Sequence, residues 1–377
     1  MRALVVCEYP TLGGGERSLL AVMPTLQRAG WTIDFACPGV GPLADELRRR
    51  GLTIAASLDR PCVASSPEDH RSARVATALR AERYDLLHAN SLATSIRTAG
   101  VGQSRGVPTI AHVRDIVGLS AAKIARLNRH DRCLCVSAAT REYHRAQGLA
   151  SEKSFVLHNG VDLDEFRPAA AGDDRLHREL GLPTDAPLVG LVGQLILRKG
   201  IDVASASLVR VLQARPQVHA VLVGERLSDK PETVELDRRI DRIVAEGGVA
   251  ERVHRLGRRD DVAHLLREFT LLLHLARQEP LGRVLLEAAA CATPIVTTVV
   301  GGTSEIFPAA ADDGALLVPV DDATAAAAAC GRLLDDPVLR GRLGSAGRRR
   351  IEAAFTVDRA AAGLLRHYDE VARLGRG

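Results

Sequence analysis

Short apolar runs alternate with amphipathic, helix-length stretches along this chain, and the alternation breaks once and then starts again. An apolar run followed by a helix is the pattern of a strand covered on both faces and returned to the same edge of its sheet. It therefore implies parallel strands in βαβ units. The first series has apolar runs at 3–7, 33–36, 85–88, 108–113, 133–136 and 154–157, with a helical pattern over 16–29. Two turn-forming clusters rich in Pro, Gly, Ala and Asp, at 167–174 and 181–187, interrupt it. The second series has strands at 188–192, 220–223, 253–256, 271–275, 294–298 and 316–318, and helices at 201–212, 234–245, 284–290 and 323–330. The expectation is an α/β protein of two Rossmann-like halves joined by a linker near 167–187.

Size agrees with two halves. The chain has 377 residues, 46% of them hydrophobic and 25% charged, which suits two soluble globular domains. No run approaches the roughly 18 apolar residues of a membrane span. The start, Met1 to Cys7, is too short for a secretory signal and reads as a first buried strand. Cys7, Cys37, Cys62, Cys133, Cys135, Cys291 and Cys330 are scattered in apolar surroundings with no CxxC pair, so buried free thiols and a cytoplasmic location are expected. Residues 1–180 hold 24 basic and 20 acidic side chains, and residues 181–377 hold 26 of each, so the whole net charge of +4 lies in the first half. That excess leaves room for an anionic acceptor or a peripheral membrane contact, against the plainer reading of an Arg-rich solvated surface. Aromatic content of 3% provides no stacking platform for nucleic acid.

Ligands of open parallel sheets bind outside the carboxyl ends of the strands, so polar residues there carry the functional question. Gly13, Gly14, Gly15 and Glu16 follow the first strand and open a helix, either as a plain turn or as a backbone approach to a phosphate or sugar. The segment is not GxGxxG and no Walker lysine follows, which disfavours a dinucleotide dehydrogenase. Gly193-Gln194-Leu195-Ile196-Leu197-Arg198-Lys199-Gly200 follows the first strand of the second half, and its adjacent cations suit a diphosphate. His88 and His112 sit at two strand ends, the latter before Val113 and Arg114. In Glu279-Pro280-Leu281-Gly282-Arg283-Val284-Leu285-Leu286-Glu287, one carboxylate lies on a turn and the second on a helix just begun. The helix-start amides suit an anion. The Asp-Asp pairs at 173–174, 260–261, 312–313, 321–322 and 335–336 read as caps and turns, and no metal is inferred.

Taken together, these segments resemble the retaining glycosyltransferases of family 4, which have the GT-B fold. The resemblance spans nearly the whole chain. It rests on the Gly-rich loop with Glu16; on Val156-Leu157-His158-Asn159-Gly160-Val161-Asp162 with Phe166 and Pro168; on the loop 193–200; on 253–257; on the glutamate pair; on Gly301-Gly302-Thr303-Ser304-Glu305-Ile306; and on the segment around Phe355. It implies two Rossmann-like domains facing an interdomain cleft. Residues 1–167 would bind the acceptor, 168–355 the nucleotide sugar, and a helix over about 356–377 would cross back to the first domain. Lys199 resembles the lysine that holds the diphosphate, Glu287 the carboxylate on the ribose, and Glu279 the carboxylate near the transferred sugar. Gly193, Gln194 and Arg198, with the backbone of Gly282, Arg283 and Val284, would line the donor site; Gly14 and Gly15 would approach the diphosphate from the first domain.

Three departures from the family pattern stand out. Gln194 occupies the position of a common arginine, so Arg198 is expected to supply the charge. Asn90 occupies the position of a functional histidine in His88-Ala89-Asn90, so that role is moved to His112. Leu281 replaces a common phenylalanine. Glu16, His88, Asn90 and Arg114 remain as sugar or acceptor contacts. The implied reaction moves a sugar from a nucleoside diphosphate to a hydroxyl with retention, using no cofactor and no metal, with Lys199, Arg198 and the helix start stabilising the leaving diphosphate. A nucleotide-sugar 2-epimerase of similar fold and an inactive nucleotide-sugar-binding partner subunit are the alternatives. The loops 57–70 and 113–125 carry no motif that identifies the acceptor, and the sugar and base of the donor stay open.

Overall fold

The computed structural model describes residues 1–59, 67–170, 172–308 and 314–375. Cys62, Asp312, Asp313 and half of the 57–70 loop therefore lie outside the described residues, as do Ala171 and the last two residues of the expected returning helix.

The chain divides into two compact units: Met1–Gly160 with Val357–Gly377, and Val161–Thr356. The first contains β1 (Arg2–Val6), β2 (Thr32–Cys37), β3 (Thr53–Ser57), β4 (Leu86–Ala89), β5 (Thr109–Val113), β6 (Arg132–Cys135) and β7 (Ser154–Val156). They form one sheet in the order β3-β2-β1-β4-β5-β6-β7 with every pairing parallel. The second unit contains β8 (Leu188–Val192), β9 (His219–Val223), β10 (Val253–Gly257), β11 (Leu271–His274), β12 (Ile295–Thr298) and β13 (Ala315–Val318), in the order β10-β9-β8-β11-β12-β13, again all parallel. Each sheet reverses its direction of strand addition once, between β1 and β4 and between β8 and β11. Ligands of doubly wound sheets bind at that reversal.

The strand β3 has no counterpart in the sequence reading. It is an edge strand of Thr, Ile, Ala, Ala and Ser with no fully buried residue, so it lacks the apolar run that marks its neighbours. The division between units falls at 160/161 rather than at the expected 167/168. Val161 pairs in parallel with Thr356 and its amide donates to the Phe355 carbonyl at 2.9 Å, while buried Phe166 has its carbonyl held by Arg348 at 2.7 Å. These residues belong to the packing of the second unit.

The helix Val357–Leu374 belongs to the core of the first unit. Ala360, Leu364, Tyr368 and Val371 recur at helical spacing and are buried against β1, β2 and the helix Gly14–Arg28. Burying each larger side chain contributes about 1.5–3 kcal/mol. Two further contacts fix the helix: Trp31 Nε1 donates to Asp369 at 3.0 Å, and the Trp31 and Tyr368 rings meet edge-on at 5.0 Å. The six described cysteines are free and buried, and Cys133 and Cys135 share one core cluster, as their alternation on a strand requires. Asp322 and Asp336 cap helices, accepting from Ala325 and Leu339 amides at 2.8 and 2.9 Å.

Candidate functional site

In the second unit the strand-order reversal brings together the loop after β8 and the loop after β11. The first loop ends in a single 3₁₀ turn, Leu197–Lys199, and Gly200, which opens the helix Ile201–Ala214. Gly200 has φ +62°, and a Cβ there would lie 1.9 Å from the Leu275 carbonyl oxygen, so only glycine lets the two loops touch. The Arg277 and Gln278 amides both donate to the Arg198 carbonyl, at 2.8 and 3.2 Å. The Arg277 guanidinium reinforces this contact. It donates to the Leu197 carbonyl at 2.7 Å, holds both oxygens of buried Asp202 at 2.9 and 3.0 Å, and reaches Asp321 at 2.7 Å. Burial raises the Asp202 carboxyl, but the Arg277 partner outweighs it and keeps the group below its usual range.

This bracket sets Lys199 against Glu279. Lys199 Nζ donates to Glu279 Oε2 at 2.5 Å, and His274 Nε2 donates to the same oxygen at 2.9 Å. Glu279 is 4% exposed. Burial, the strongest single influence, raises its carboxyl; the Lys199 charge and the His274 bond together prevail and hold it below the ordinary carboxylate range. Burial conversely lowers the His274 imidazole against the pull of Glu279. The result is a buried carboxylate on the loop after β11 that fixes an ammonium with two further N–H donors to offer. Arg198 is half-buried, and its Nη1 has no hydrogen-bond partner among the described residues.

Beyond Glu279, the chain turns through Pro280, Leu281 and Gly282 into the helix Arg283–Ala290. Gly302 packs against this turn: a Cβ on it would fall 2.4 Å from the Pro280 carbonyl oxygen, and its amide donates to the Glu279 carbonyl at 2.9 Å. Gly302 is thus a packing requirement of the glutamate turn. Glu287 lies in the second turn of the helix and pairs with Arg283 at 2.5 Å. Gln194 and Gly193 lie on the loop next to β9, where the Gly193 amide donates to the Val223 carbonyl.

In the first unit the reversal lies between β1 and β4. Gly13 precedes the helix Gly14–Arg28, and its amide donates to Glu16 at 3.1 Å. Glu16, expected to contact a sugar or acceptor, caps the start of its own helix through one carboxylate oxygen. His88, at 0% exposure, requires a larger correction. Its Nδ1 lies 2.8 Å from the Tyr368 hydroxyl and its Nε2 lies 3.3 Å from His112 Nδ1, so both ring nitrogens are engaged inside the protein. It backs His112 rather than meeting a ligand.

His112 is 3% exposed, stacks on His88 with centroids 5.4 Å apart, and leaves Nε2 without a partner among the described residues. Burial first, then the neighbouring Arg114 charge, lower both imidazoles, His88 to about 3 and His112 well below its usual value, so both are neutral at physiological pH. Arg114 ties the group together. Its Nε donates to the Asn90 carbonyl at 3.1 Å, its Nη1 to Asn159 Oδ1 at 2.8 Å, and its Nη2 to Asn90 Oδ1 at 2.9 Å and His112 Nδ1 at 3.1 Å. A Cβ on Gly15 would lie 3.0 Å from the Arg114 side chain, so the glycine loop and the histidine site are neighbours.

Sequence reasoning thus named Lys199, Glu279, His112, Asn90 and Arg114, and missed His274, Asp202, Arg277, Asn159 and Tyr368 as their partners. His274 ends a strand, the signal already used for His88 and His112. Asp202, Arg277 and Tyr368 sit in helical or loop patterns with no local mark. No group of three or more His, Cys, Asp or Glu side chains arranged to hold a metal occurs among the described residues, and no helix among them is long and apolar enough to cross a membrane.

Two family models cover most of the chain: Glycosyltransferase Family 4 over residues 12–165 and Glycosyl transferases group 1 over residues 172–350. A D-inositol 3-phosphate glycosyltransferase of Xylanimonas cellulosilytica is 30% identical over 306 residues, spanning 78% of this chain and 69% of that protein. A GDP-mannose-dependent alpha-mannosyltransferase of Mycobacterium tuberculosis is 26% identical, over 78% of each. Among solved structures, Anabaena Alr3699/HepE in complex with UDP and glucose superposes with a TM-score of 0.86 at 21% identity, covering 98% of this chain and 99% of that one, a likeness of fold. The two sheets and these matches define a glycosyltransferase with two Rossmann-like domains. The chain belongs to the family 4 glycosyltransferases of GT-B fold. A nucleotide-sugar epimerase and an inactive partner subunit, the two alternatives weighed from sequence, are not favoured by these matches.

Proposed function

We propose that this chain transfers a sugar from a nucleoside-diphosphate sugar to an acceptor hydroxyl with retention at the anomeric carbon, and that it needs no metal to do so. The observation that carries the reading is the Lys199–Glu279–His274 group beside Arg198. A buried carboxylate holds one ammonium in place while a neighbouring guanidinium keeps an unpartnered buried nitrogen. Two fixed cations at a strand-to-helix loop suit a diphosphate leaving group, whose charge grows as the glycosidic bond breaks. A charge already in place costs no reorganisation at that moment. The first-turn amides after Gly282 add partial positive charge.

Within this reading Val161–Thr356 is the donor unit. Lys199 and Arg198 hold the diphosphate with the backbone of Gly193, Gly282, Arg283 and Val284, and Gln194 lines the same loop. Glu279 lies near the transferred sugar and Glu287 takes the ribose hydroxyls. Arg283, now seen paired with Glu287, positions that carboxylate. The unit Met1–Gly160 with Val357–Gly377 takes the acceptor, Gly14 and Gly15 approach the diphosphate, and His112, supported by Arg114 and Asn90, orients the sugar. A neighbour named for UDP and a relative named for GDP-mannose support a nucleotide-sugar donor. Cytoplasmic action, with peripheral membrane contact for a lipid-borne acceptor, completes the proposal.

A panel of UDP-, GDP- and dTDP-sugars in thermal unfolding tests it. A donor at 100 times its Kd stabilises the folded chain by about 2.7 kcal/mol, a clear rise in Tm. The same panel with hydroxyl acceptors, followed by NMR of the product anomer, reads transfer and stereochemistry. No stabilisation by any donor, or an inverted anomer, would overturn the reading.

A further inference from the structure

The Arg114 guanidinium can only donate, and that fact determines every proton in the histidine site. Arg114 Nη2 lies 3.1 Å from His112 Nδ1, so Nδ1 must be the bare, accepting nitrogen, because an N–H there would meet the arginine donor head to head. A neutral imidazole with a bare Nδ1 carries its proton on Nε2. His88 Nε2, 3.3 Å from the same Nδ1, must then be a donor as well, which leaves His88 Nδ1 bare and makes the Tyr368 hydroxyl, 2.8 Å away, donate to it. The Asn90 amide is oriented by the same arginine: its Oδ1 accepts from Nη2, which leaves its Nδ2 as a donor towards the Cys7 thiol.

We propose that Arg114 is a positioning residue that fixes His112 as an Nε2–H hydrogen-bond donor, so that this site receives an oxygen lone pair and cannot take up a proton. His112 is 3% exposed and its Nε2 has no partner among the described residues, so the forced tautomer leaves a buried N–H unsatisfied until a ligand oxygen meets it. The other groups facing His112, namely His88, Arg114 and His367, all disfavour an imidazolium, as does burial. His112 is therefore excluded as a general base at Nε2. The identity of the oxygen as a sugar hydroxyl rests on the glycosyl-transfer reading; the direction of the hydrogen bonds does not.

The test is NMR of the full chain labelled with ¹⁵N-histidine, at neutral pH and without donor or acceptor. The nitrogen shifts and ring couplings report which nitrogen of each histidine bears the proton, and the spectrum of His112→Gln assigns the His112 signals. A neutral Nε2–H tautomer at both His112 and His88 is expected. In Arg114→Met the hydrogen bonds from His112 to Tyr368 are free to run in either direction, since a tyrosine hydroxyl donates or accepts, so His112 shifts from one tautomer to a mixture. In Tyr368→Phe the arginine remains and His112 stays Nε2–H. An Nδ1–H or doubly protonated His112 in the parent protein overturns the proposal by itself, even if Arg114→Met fails to fold; so does an unchanged single tautomer in a folded Arg114→Met. Because no substrate is present, the result is independent of whether the donor panel succeeds.

Discussion

Replacing Lys199 with Met keeps most of the side-chain volume and removes the charge, which strands Glu279 in a site where it is 4% exposed. Removing one partner of a buried pair costs about 3–5 kcal/mol, largely from the charge left behind. Lys199 is not fully enclosed, its side chain being 14% exposed, which places the loss near the lower figure. In a unit of this size about 1 kcal/mol moves Tm by about 2–4 °C, so a fall of roughly 6–12 °C is expected. Adding Glu279→Gln removes the stranded charge, and the double variant is expected within about 1 kcal/mol of the parent, a coupling of the size that double-mutant cycles resolve. His274 adds a signature in pH. Lys199 holds the His274 imidazole down, so without the lysine its folded pKa rises and the folded state binds protons more readily. The single variant's deficit should therefore shrink as pH falls from 8 to 6. Urea unfolding, with hydrogen exchange of β8 and β11 to localise the loss, reads both effects. A single-variant loss under about 1 kcal/mol, or a double variant weaker than the single, would refute the assignment of Glu279 as a carboxylate held by Lys199.

The first unit should be acid-sensitive. His88 has a folded pKa of about 3 against about 6.5 unfolded, so its contribution is complete above the unfolded value and is lost as pH falls towards the folded one. Between pH 7.5 and 5 His88 alone should cost about 2 kcal/mol, with His112 adding in the same direction. Fluorescence of Trp31, the sole tryptophan and packed on Tyr368, reports that unfolding, and equal stability at the two pH values would contradict neutral buried histidines. Gly200→Ala places a methyl 1.9 Å from the Leu275 carbonyl at φ +62°, and should cost about 2 kcal/mol or more and weaken nucleotide binding; donor affinity equal to the parent's would show that the loop contact does not position Lys199. Turnover should persist in excess EDTA, and complete loss that is restored by a divalent cation would overturn the metal-free mechanism.

The strands legible in the sequence are those buried on both faces, because a continuous apolar run needs no knowledge of the rest of the chain. Edge strand β3 was invisible for the converse reason: half-exposed Thr, Ala and Ser carry no such signal. At the site, Lys199, Glu279 and His112 stood out through position at strand ends and loop chemistry. Asp202, Arg277 and Tyr368 did not. Arg277 meets Asp202 across 75 residues and Tyr368 meets His88 across 280, and nothing local in either pair requires the other. Gln194 and Arg198 illustrate the middle case. The sequence showed a missing cation and a nearby one, and only the fold shows that the Arg198 carbonyl is clamped by the 277–278 amides while a guanidinium nitrogen is left over.

Leftover buried nitrogens are not equivalent, because geometry separates a bare lone pair from an unmet N–H. His130 and His144 each leave Nδ1 without a partner, but each places Nε2 2.8 Å from a backbone carbonyl, of Ser95 and Asp115 respectively. A carbonyl can only accept, so those imidazoles carry the proton on Nε2 and what remains bare is a lone pair. At His112 the arginine forces the opposite outcome: the lone pair is used and the N–H remains. At Arg198 the remaining group is an N–H of a cation. An unmet N–H costs about 1–3 kcal/mol, and more when the group is charged. A stable chain keeps such a cost where something else repays it. Both donors stand beside the strand-order reversal of their own sheet, where oxygen-rich ligands of doubly wound sheets bind, and both present protons to whatever enters. A ligand rich in phosphate and hydroxyl oxygen satisfies them; an ammonium or an apolar group does not. The donor panel should accordingly separate by phosphate, with nucleoside diphosphates stabilising the chain more than the free sugars or nucleosides, and an equal response to a nucleoside lacking phosphate would argue against Arg198 as a diphosphate contact.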